Sequence, residues 1–477
     1  MNYSVSAQPE FKEKYRPQFH FTPEKNWIND PNGLVFYGGE YHMYYQYNPY
    51  GNKWGHMSWG HAVSKDLVHW KELPVAIPEA PPLTIFSGSA VVDPFNTSGF
   101  VQKLGQVPMV AIYTADIPNS NQSQHIAYSL DSGRTFTKFN FNPVLDLEKK
   151  DFRDPKVFWH EPTKKWIMAV MWPLEKKVQF YNSKTLKAWT LLSEFGPAGD
   201  TTGIWECPDL FRVPIAGSPG KYKWVFMMSP APYMQYFVGE FDGVKFINES
   251  LPEKIYRPDY GSDYYAAIVY NNLPPGNPPV SIGWANNWQY AGDIPAGEWR
   301  GTMSLPRSLS LKRVGAEWIL LQNPVDELAS LKKKEVQFVS DQDITTDDQS
   351  FMLEWQWKAG AAGVQEMSLG DNEFVIRYDA SKKEISIDRS GSQGFDHAAY
   401  KSNAVYKTIF PGTPPANLKF RLYFDESIAE LYVGDGEVAM TTQVFAAKPM
   451  NKVKFMPSGP DQTVIYRDLG GYREMGK

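Results

Sequence analysis

Three carboxylic acids each stand within two residues of a proline: Asp30 in "WINDPNG", Asp154 in "FRDPKVFW" and Glu206 in "WECPDLF". Proline fixes φ, donates no hydrogen bond and pushes the residue before it toward extended backbone, so it is tolerated at the first residue of a strand. Each proline is therefore expected to mark a strand beginning and to stiffen the backbone that carries an acid. Acids held close together repel one another and raise at least one pKa, which is an expensive arrangement for a purely structural site. Paired carboxylates between aromatic walls suit cleavage of a glycosidic bond: one attacks the anomeric carbon, and a protonated one gives its proton to the leaving oxygen. Arg153 favours an ionised Asp154, which then stabilises charge. Glu206, between Trp205 and Cys207, has the less polar setting of an acid/base. Asp30, within reach of turn N–H groups, is left as the nucleophile. The competing reading of "WINDPNG" is a plain turn, because Asn, Asp, Pro and Gly are turn formers.

The elements that must carry these acids are strands. Short β-branched and aromatic runs alternate with Gly, Pro, Asn and Asp, and helical periodicity is scarce. Five apolar strands recur, from "EYHMYYQYN" (40–48) to "PVSIGWANNW" (279–288), each preceded by a strand that opens on a polar residue. The openers are Asp30, Ser87, Asp154, Glu206 and Asp263, roughly 50 to 70 residues apart. Units of this length with about four strands each are what propeller blades look like, and the first strand of each blade lines the axis. The expected fold is all-β: an N-terminal extension (1–19), a five-bladed β-propeller (20–323), a linker with a short helix (324–340) and a C-terminal β-sandwich (341–477).

Composition narrows the function classes. Forty-eight basic residues against 53 acidic ones give a net charge of −5, with no basic run, so nucleic acid is not an expected partner. A single cysteine, Cys207, excludes an intrachain disulfide and is expected to pack, unreactive, behind Glu206. His56, His61 and His69 match no zinc spacing, and neither a metal nor a cofactor is expected. "WIMAVMW" (166–172) is too short to span a bilayer, and the N-terminus has no apolar signal-peptide core. A secreted, periplasmic or cell-surface enzyme with its leader removed fits these features, with a cytoplasmic location left open. A monomer is expected.

Taken in order, "WINDPNG", "FSGSAVVD", "FRDPKVFW" and "WECPDLF" resemble glycoside hydrolase family 32, the β-fructosidases: invertases, inulinases, levanases and fructan exohydrolases. The resemblance runs from "FHFTPEKNWINDPNG" to "FDESIAELYVGDGEVAMTTQVF". It implies a five-bladed propeller followed by a sandwich, and a retaining mechanism with Asp30 as nucleophile, Asp154 as transition-state stabiliser and Glu206 as acid/base. The first and last of these carboxyls are then expected about 5–5.5 Å apart. It further implies fructose contacts from Asn29, Gln46, Trp54, Ser87, Arg153 and Trp284, and a similar substrate-facing pair in Asp263 and Tyr265. The alternatives are a loop anchor for Trp54, a blade-edge polar residue for Gln46 and a core aromatic for Trp284. The expected activity is removal of terminal non-reducing β-D-fructosyl units from a fructan (levan or inulin) or its oligosaccharides, with sucrose also cleaved. Endo-acting cleavage, fructosyl transfer and a non-catalytic fructan-binding propeller are the alternatives.

Overall fold

The computed structural model describes residues 11–103, 105–251, 254–340, 344–457 and 463–473. Five sheets, antiparallel but for one short strand, follow one another along the described chain, and their innermost strands are Asn26–Tyr37, Thr84–Val92, Arg153–His160, Trp205–Pro214 and Tyr265–Val269. Each innermost strand neighbours the next, and the fifth neighbours the first, so the sheets form a closed five-bladed ring. Strands such as Lys165–Trp172 are buried along almost their whole length, which explains their continuous apolar sequence. Ring closure is made in hydrogen bonds. Trp299–Arg300 pairs in parallel with Asn26 and Trp27, and Asn271 N donates to Leu34 O (2.8 Å) while Phe36 N donates to Asn271 O (3.0 Å).

Beneath the pole that carries the acids, the axis is filled. Lys156 Nζ, on the third inner strand, donates to Asp209 Oδ2 on the fourth (3.0 Å) and to Val269 O on the fifth (3.0 Å). Asn271 Nδ2 donates to Ala90 O (2.8 Å) and Val157 O (3.0 Å), reaching the second and third. Both Lys156 and Asp209 are buried.

The C-terminal part is a sandwich of two six-stranded antiparallel sheets around an aromatic-rich core that includes Trp355, Trp357, Phe420 and Phe424. The expected linking helix is a 3-10 turn, Asp326–Leu331, that buries Leu328 and Leu331. The rest of the expected linker is strand: Lys332–Val339 pairs with Thr463–Leu469 at the edge of one sandwich sheet. Of the expected N-terminal extension, residues 1–10 lie outside the described residues. Its remainder is pinned to the sandwich, with Tyr15 OH donating to Ala446 O (2.7 Å). Among the described residues no helix is long and apolar enough to cross a membrane.

Propeller and sandwich meet through buried charge. Arg307 of the fifth blade donates to Asp259 (2.9 Å) and to Glu430 of the sandwich (2.8 Å). Nearby, Asp425 accepts from the backbone N–H groups of Gln18, Phe19 and His20, and the His20 ring bridges Asp425 (2.8 Å) and Glu430 (3.2 Å). Burial alone would push His20 down, but its hydrogen bonds and attraction to these two carboxylates outweigh that and raise it from 6.5 to about 9. A raised folded-state pKa contributes stability that is fully present below pH 6.5 and is lost as pH rises through about 9. We expect the difference in unfolding free energy between wild type and His20→Gln to be on the order of 2 kcal/mol near neutral pH and to shrink by about pH 10. Denaturant titrations across that range check this; a pH-independent difference would contradict it.

Candidate active site

Every inner strand is interrupted by a β-bulge at the same height. The ladder register shifts between Ile28 and Pro31, Ile85 and Gly88, Arg153 and Lys156, Glu206 and Asp209, and Tyr265 and Ile268. A bulge bends its strand and re-aims side chains. Here three bulges hold a non-glycine residue in the left-handed region: Asp154 (φ 64°), Cys207 (φ 49°) and Ala266 (φ 52°). Prolines 31, 155 and 208 therefore sit inside strands, at bulges, and not at strand beginnings. The bulge removes the ladder bond that a proline could not make.

Backbone N–H groups freed from the ladder are taken up by the preceding blade. Asn32 Oδ1 accepts from Gly88 N (3.1 Å) and Thr114 Oγ1 from Asp154 N (2.9 Å). Asp154 Oδ2 accepts from Cys207 N (2.9 Å), and Ser229 Oγ from Ala266 N (3.2 Å). The bulges and these latches bring the acids to one cavity of about 540 Å³.

That cavity is lined by Asp30, Asp154 and Glu206 and also by Asn29, Gln46, Trp54, Ser87 and Arg153, all expected from the sequence. Asp30 accepts from Asn29 Nδ2 (3.0 Å) and Ser87 Oγ (2.7 Å), and Asn29 is itself oriented by Trp27 Nε1 (2.7 Å). Gln46 lines the cavity, and among the described residues its buried Nε2 has no hydrogen-bond partner. The Cys207 thiol lies between two acids, 3.5 Å from Asp30 Oδ2 and 3.8 Å from Asp154 Oδ2, and not behind Glu206; burial pushes its pKa well up, so it stays protonated.

The electrostatics differ from expectation at Arg153. Its Nη2 donates to Glu206 Oε1 (2.9 Å) and its Nη1 to Asp151 (3.0 Å) and Gln122 (3.2 Å), whereas Asp154 Oδ2 is 4.0 Å from Nε. Asp154 is consequently not held low. Burial pushes it up to about 7, opposed by the Arg153 charge and reinforced by Glu206. Burial likewise raises Asp30, against the Asn29 hydrogen bond and with the Glu206 charge. Glu206 Oε2 accepts from Tyr265 OH (2.5 Å). Among the described residues no group of three or more His, Cys, Asp or Glu is arranged to hold a metal ion.

Three residues expected as contacts lie outside the cavity lining. Asp263 is fully buried and ion-paired with Arg389 of the sandwich (2.9 Å), outside the cavity lining, because the fifth bulge begins at Tyr265, two residues later. Tyr265 reaches the site through Glu206 and does not itself line the cavity. Trp284 is also fully buried, packed on Trp27 and Trp288 with ring centroids 5.9 and 4.7 Å away. Trp288, four residues on in "WANNW", is the one that faces the cavity. Phe86, Asp116, Gln122, Asp151, Ile204 and Ala231 complete the lining and were missed. Phe86 alone had a signal, its place beside Ser87 in a repeated bulge.

Residues 20–324 match the model of the glycosyl hydrolases family 32 N-terminal domain, and residues 320–468 that of the family 32 C-terminal domain. The chain belongs to glycosyl hydrolase family 32. Within the family it is 44% identical over 461 residues to a levanase of Bacillus subtilis, an alignment covering 90% of this chain and 66% of that protein. It is 36% identical to an extracellular exo-inulinase of Aspergillus awamori, covering 96% and 95% of the two chains. The crystal structure of exo-inulinase from Aspergillus awamori superposes with a TM-score of 0.91 at 35% identity, covering 97% of this chain and all of that one. As a family 32 member the chain is a glycoside hydrolase with the propeller-plus-sandwich fold.

The two tryptophans should separate cleanly. Trp284→Phe is expected to cost about 1–3 kcal/mol of stability and change KM less than about twofold, as for a core residue. Trp288→Ala is expected to raise KM about tenfold with little change in Tm, as for a wall of a binding cavity. Thermal melts and steady-state kinetics check both; the reverse pattern would restore Trp284 as the contact.

Proposed function

We propose that the protein is an exo-acting, retaining β-fructosidase that removes terminal fructosyl units from fructans and also cleaves sucrose. The observation that carries this is the convergence of Asp30, Asp154 and Glu206 on one aromatic-walled cavity at the propeller pole. The names of the relatives, levanase and exo-inulinase, support the substrate class. Relatives described as extracellular support action outside the cell.

Asp30 attacks C2 of the fructosyl unit with a carboxylate oxygen. The C2–O bond to the leaving sugar breaks, and its electron pair takes the proton from Glu206. Glu206 then withdraws a proton from water, whose oxygen attacks C2 and returns Asp30 to its carboxylate. Asp154 hydrogen-bonds the fructosyl hydroxyls as C2 gains positive character. Burial pushes Asp154 up to about 7, reinforced by the Glu206 charge, so the acids of the site titrate as a cluster and not one by one.

Exo action is supported by the wall on the Trp54 side. The segment from Ile77 to Phe86 is braced to the residues that follow Trp54: Ile85 N donates to Met57 O (2.8 Å), Glu79 N to Ser58 Oγ (2.9 Å), and His56 Nδ1 meets Glu79 Oε1 (2.9 Å). A fixed wall beside the acids suits a chain end better than a chain passing through.

Asp30→Ala and Glu206→Ala should each lower kcat on levan, inulin and sucrose at least about a thousandfold with the fold intact. Azide should rescue Glu206→Ala on an aryl fructoside with retained configuration, whereas any azide product from Asp30→Ala should be inverted. Near-normal turnover in either variant would overturn the roles. Product analysis on levan and inulin should give free fructose from the first time points; an early ladder of oligosaccharides would show endo action instead.

A further inference from the structure

The backbone leading into the fifth inner strand lies along an edge strand of one sandwich sheet, Val438–Gln443. Tyr260 N donates to Ala439 O (2.9 Å) and Asp263 N to Thr441 O (3.1 Å). The approach is close enough that a Cβ on Gly261 would fall 2.0 Å from Thr441 O. From the same sandwich, Arg389 donates through Nη1 to Asp263 Oδ2 (2.9 Å) and through Nη2 to Tyr290 OH (3.0 Å). Tyr290 OH donates to Asp263 Oδ1 (2.6 Å), closing a triangle of three groups that are all at most 1% exposed. Gln443 N adds a fourth bond, to Asp263 Oδ2 (2.9 Å).

A buried ion pair of this kind is seldom more stable than apolar side chains of the same volume, so stability alone is a poor reason for it. Its position supplies a better one. Asp263 lies two residues before Tyr265, whose hydroxyl holds Glu206 Oε2. Tyr290 lies two residues after Trp288, which faces the cavity. One sandwich side chain thus anchors both the strand that presents a hydrogen bond to Glu206 and the turn that presents an aromatic wall.

We propose that Arg389 is a positioning residue for the reaction in the propeller, acting through Asp263 and Tyr290 to set where Tyr265 holds Glu206 and where Trp288 meets the substrate. This rests on Glu206 being the proton donor. A misplaced proton donor slows departure of a sugar alcohol, which needs the proton, more than departure of an aryl alcohol, which does not.

The test uses the full chain with Tyr290→Phe, which removes a single hydroxyl, and with Arg389→Met and Arg389→Lys. Tyr290→Phe is expected to lower kcat/KM for sucrose about tenfold, mostly in kcat, and that for p-nitrophenyl β-D-fructofuranoside less than about threefold. Arg389→Met should show the same selectivity, partly recovered in Arg389→Lys; should Arg389→Met fail to fold, Tyr290→Phe decides. Unchanged kinetics in Tyr290→Phe, or equal losses on both substrates, would overturn the proposal. Glu206→Gln separates the two readings. A selective loss there beside an unselective Tyr290→Phe overturns the Arg389 role alone, whereas an equal loss on both substrates removes the acid role of Glu206 and this inference with it.

Discussion

The structure depends on what happens to a backbone N–H when it leaves a β-ladder. Each inner strand of the ring is bulged at one height, and a freed buried N–H left without an acceptor would cost about 1–3 kcal/mol. At four of the five bulges the acceptor is a side chain of the neighbouring blade: Asn32, Thr114, Asp154 and Ser229. Satisfying the bulge and docking the blades are therefore the same act. Asp154 shows the consequence most directly, since the oxygen that latches the fourth blade belongs to an acid of the site. The aim of the carboxyls and the closure of the ring cannot be altered independently.

The sandwich carries no acid of the site, yet it is bound to the propeller by buried charge through Arg307, Glu430, His20 and Asp425 at one place and Arg389 and Asp263 at another. Such contacts are directional. An apolar interface of equal area would tolerate small slides of one body on the other, whereas a guanidinium shared between fixed carboxylates does not. The sandwich is accordingly tied by directional contacts to the fifth blade.

Much of this was legible from the chain because the acids recur in a repeat whose period is large and whose punctuation is strong. Pro31, Pro155 and Pro208 set the phase of three blades, and Asn29, Asp30, Arg153, Asp154 and Glu206 beside them line the cavity. The fifth blade has no such proline. Its phase was taken from Asp263, two residues early, and the carboxylate assigned to substrate proved to face the sandwich. Trp284 and Trp288 lie in one segment, and only the turn that follows the strand decides which ring faces the cavity. Ion-pair geometry was not legible either. Arg153 is adjacent to Asp154 in sequence, but a bulge with positive φ turns neighbouring side chains apart, and the guanidinium lies on Glu206. The expected linker became an edge strand because Lys332–Val339 finds its partner more than a hundred residues away, a pairing without local signal.

The Lys156–Asp209 pair and Asn271, which fill the axis below the acids, bear on traffic as well as on packing. A cavity stopped at its inner end has a single mouth, so the released monosaccharide departs by the route through which the polymer end arrived. The shortened chain must withdraw before the product can follow it.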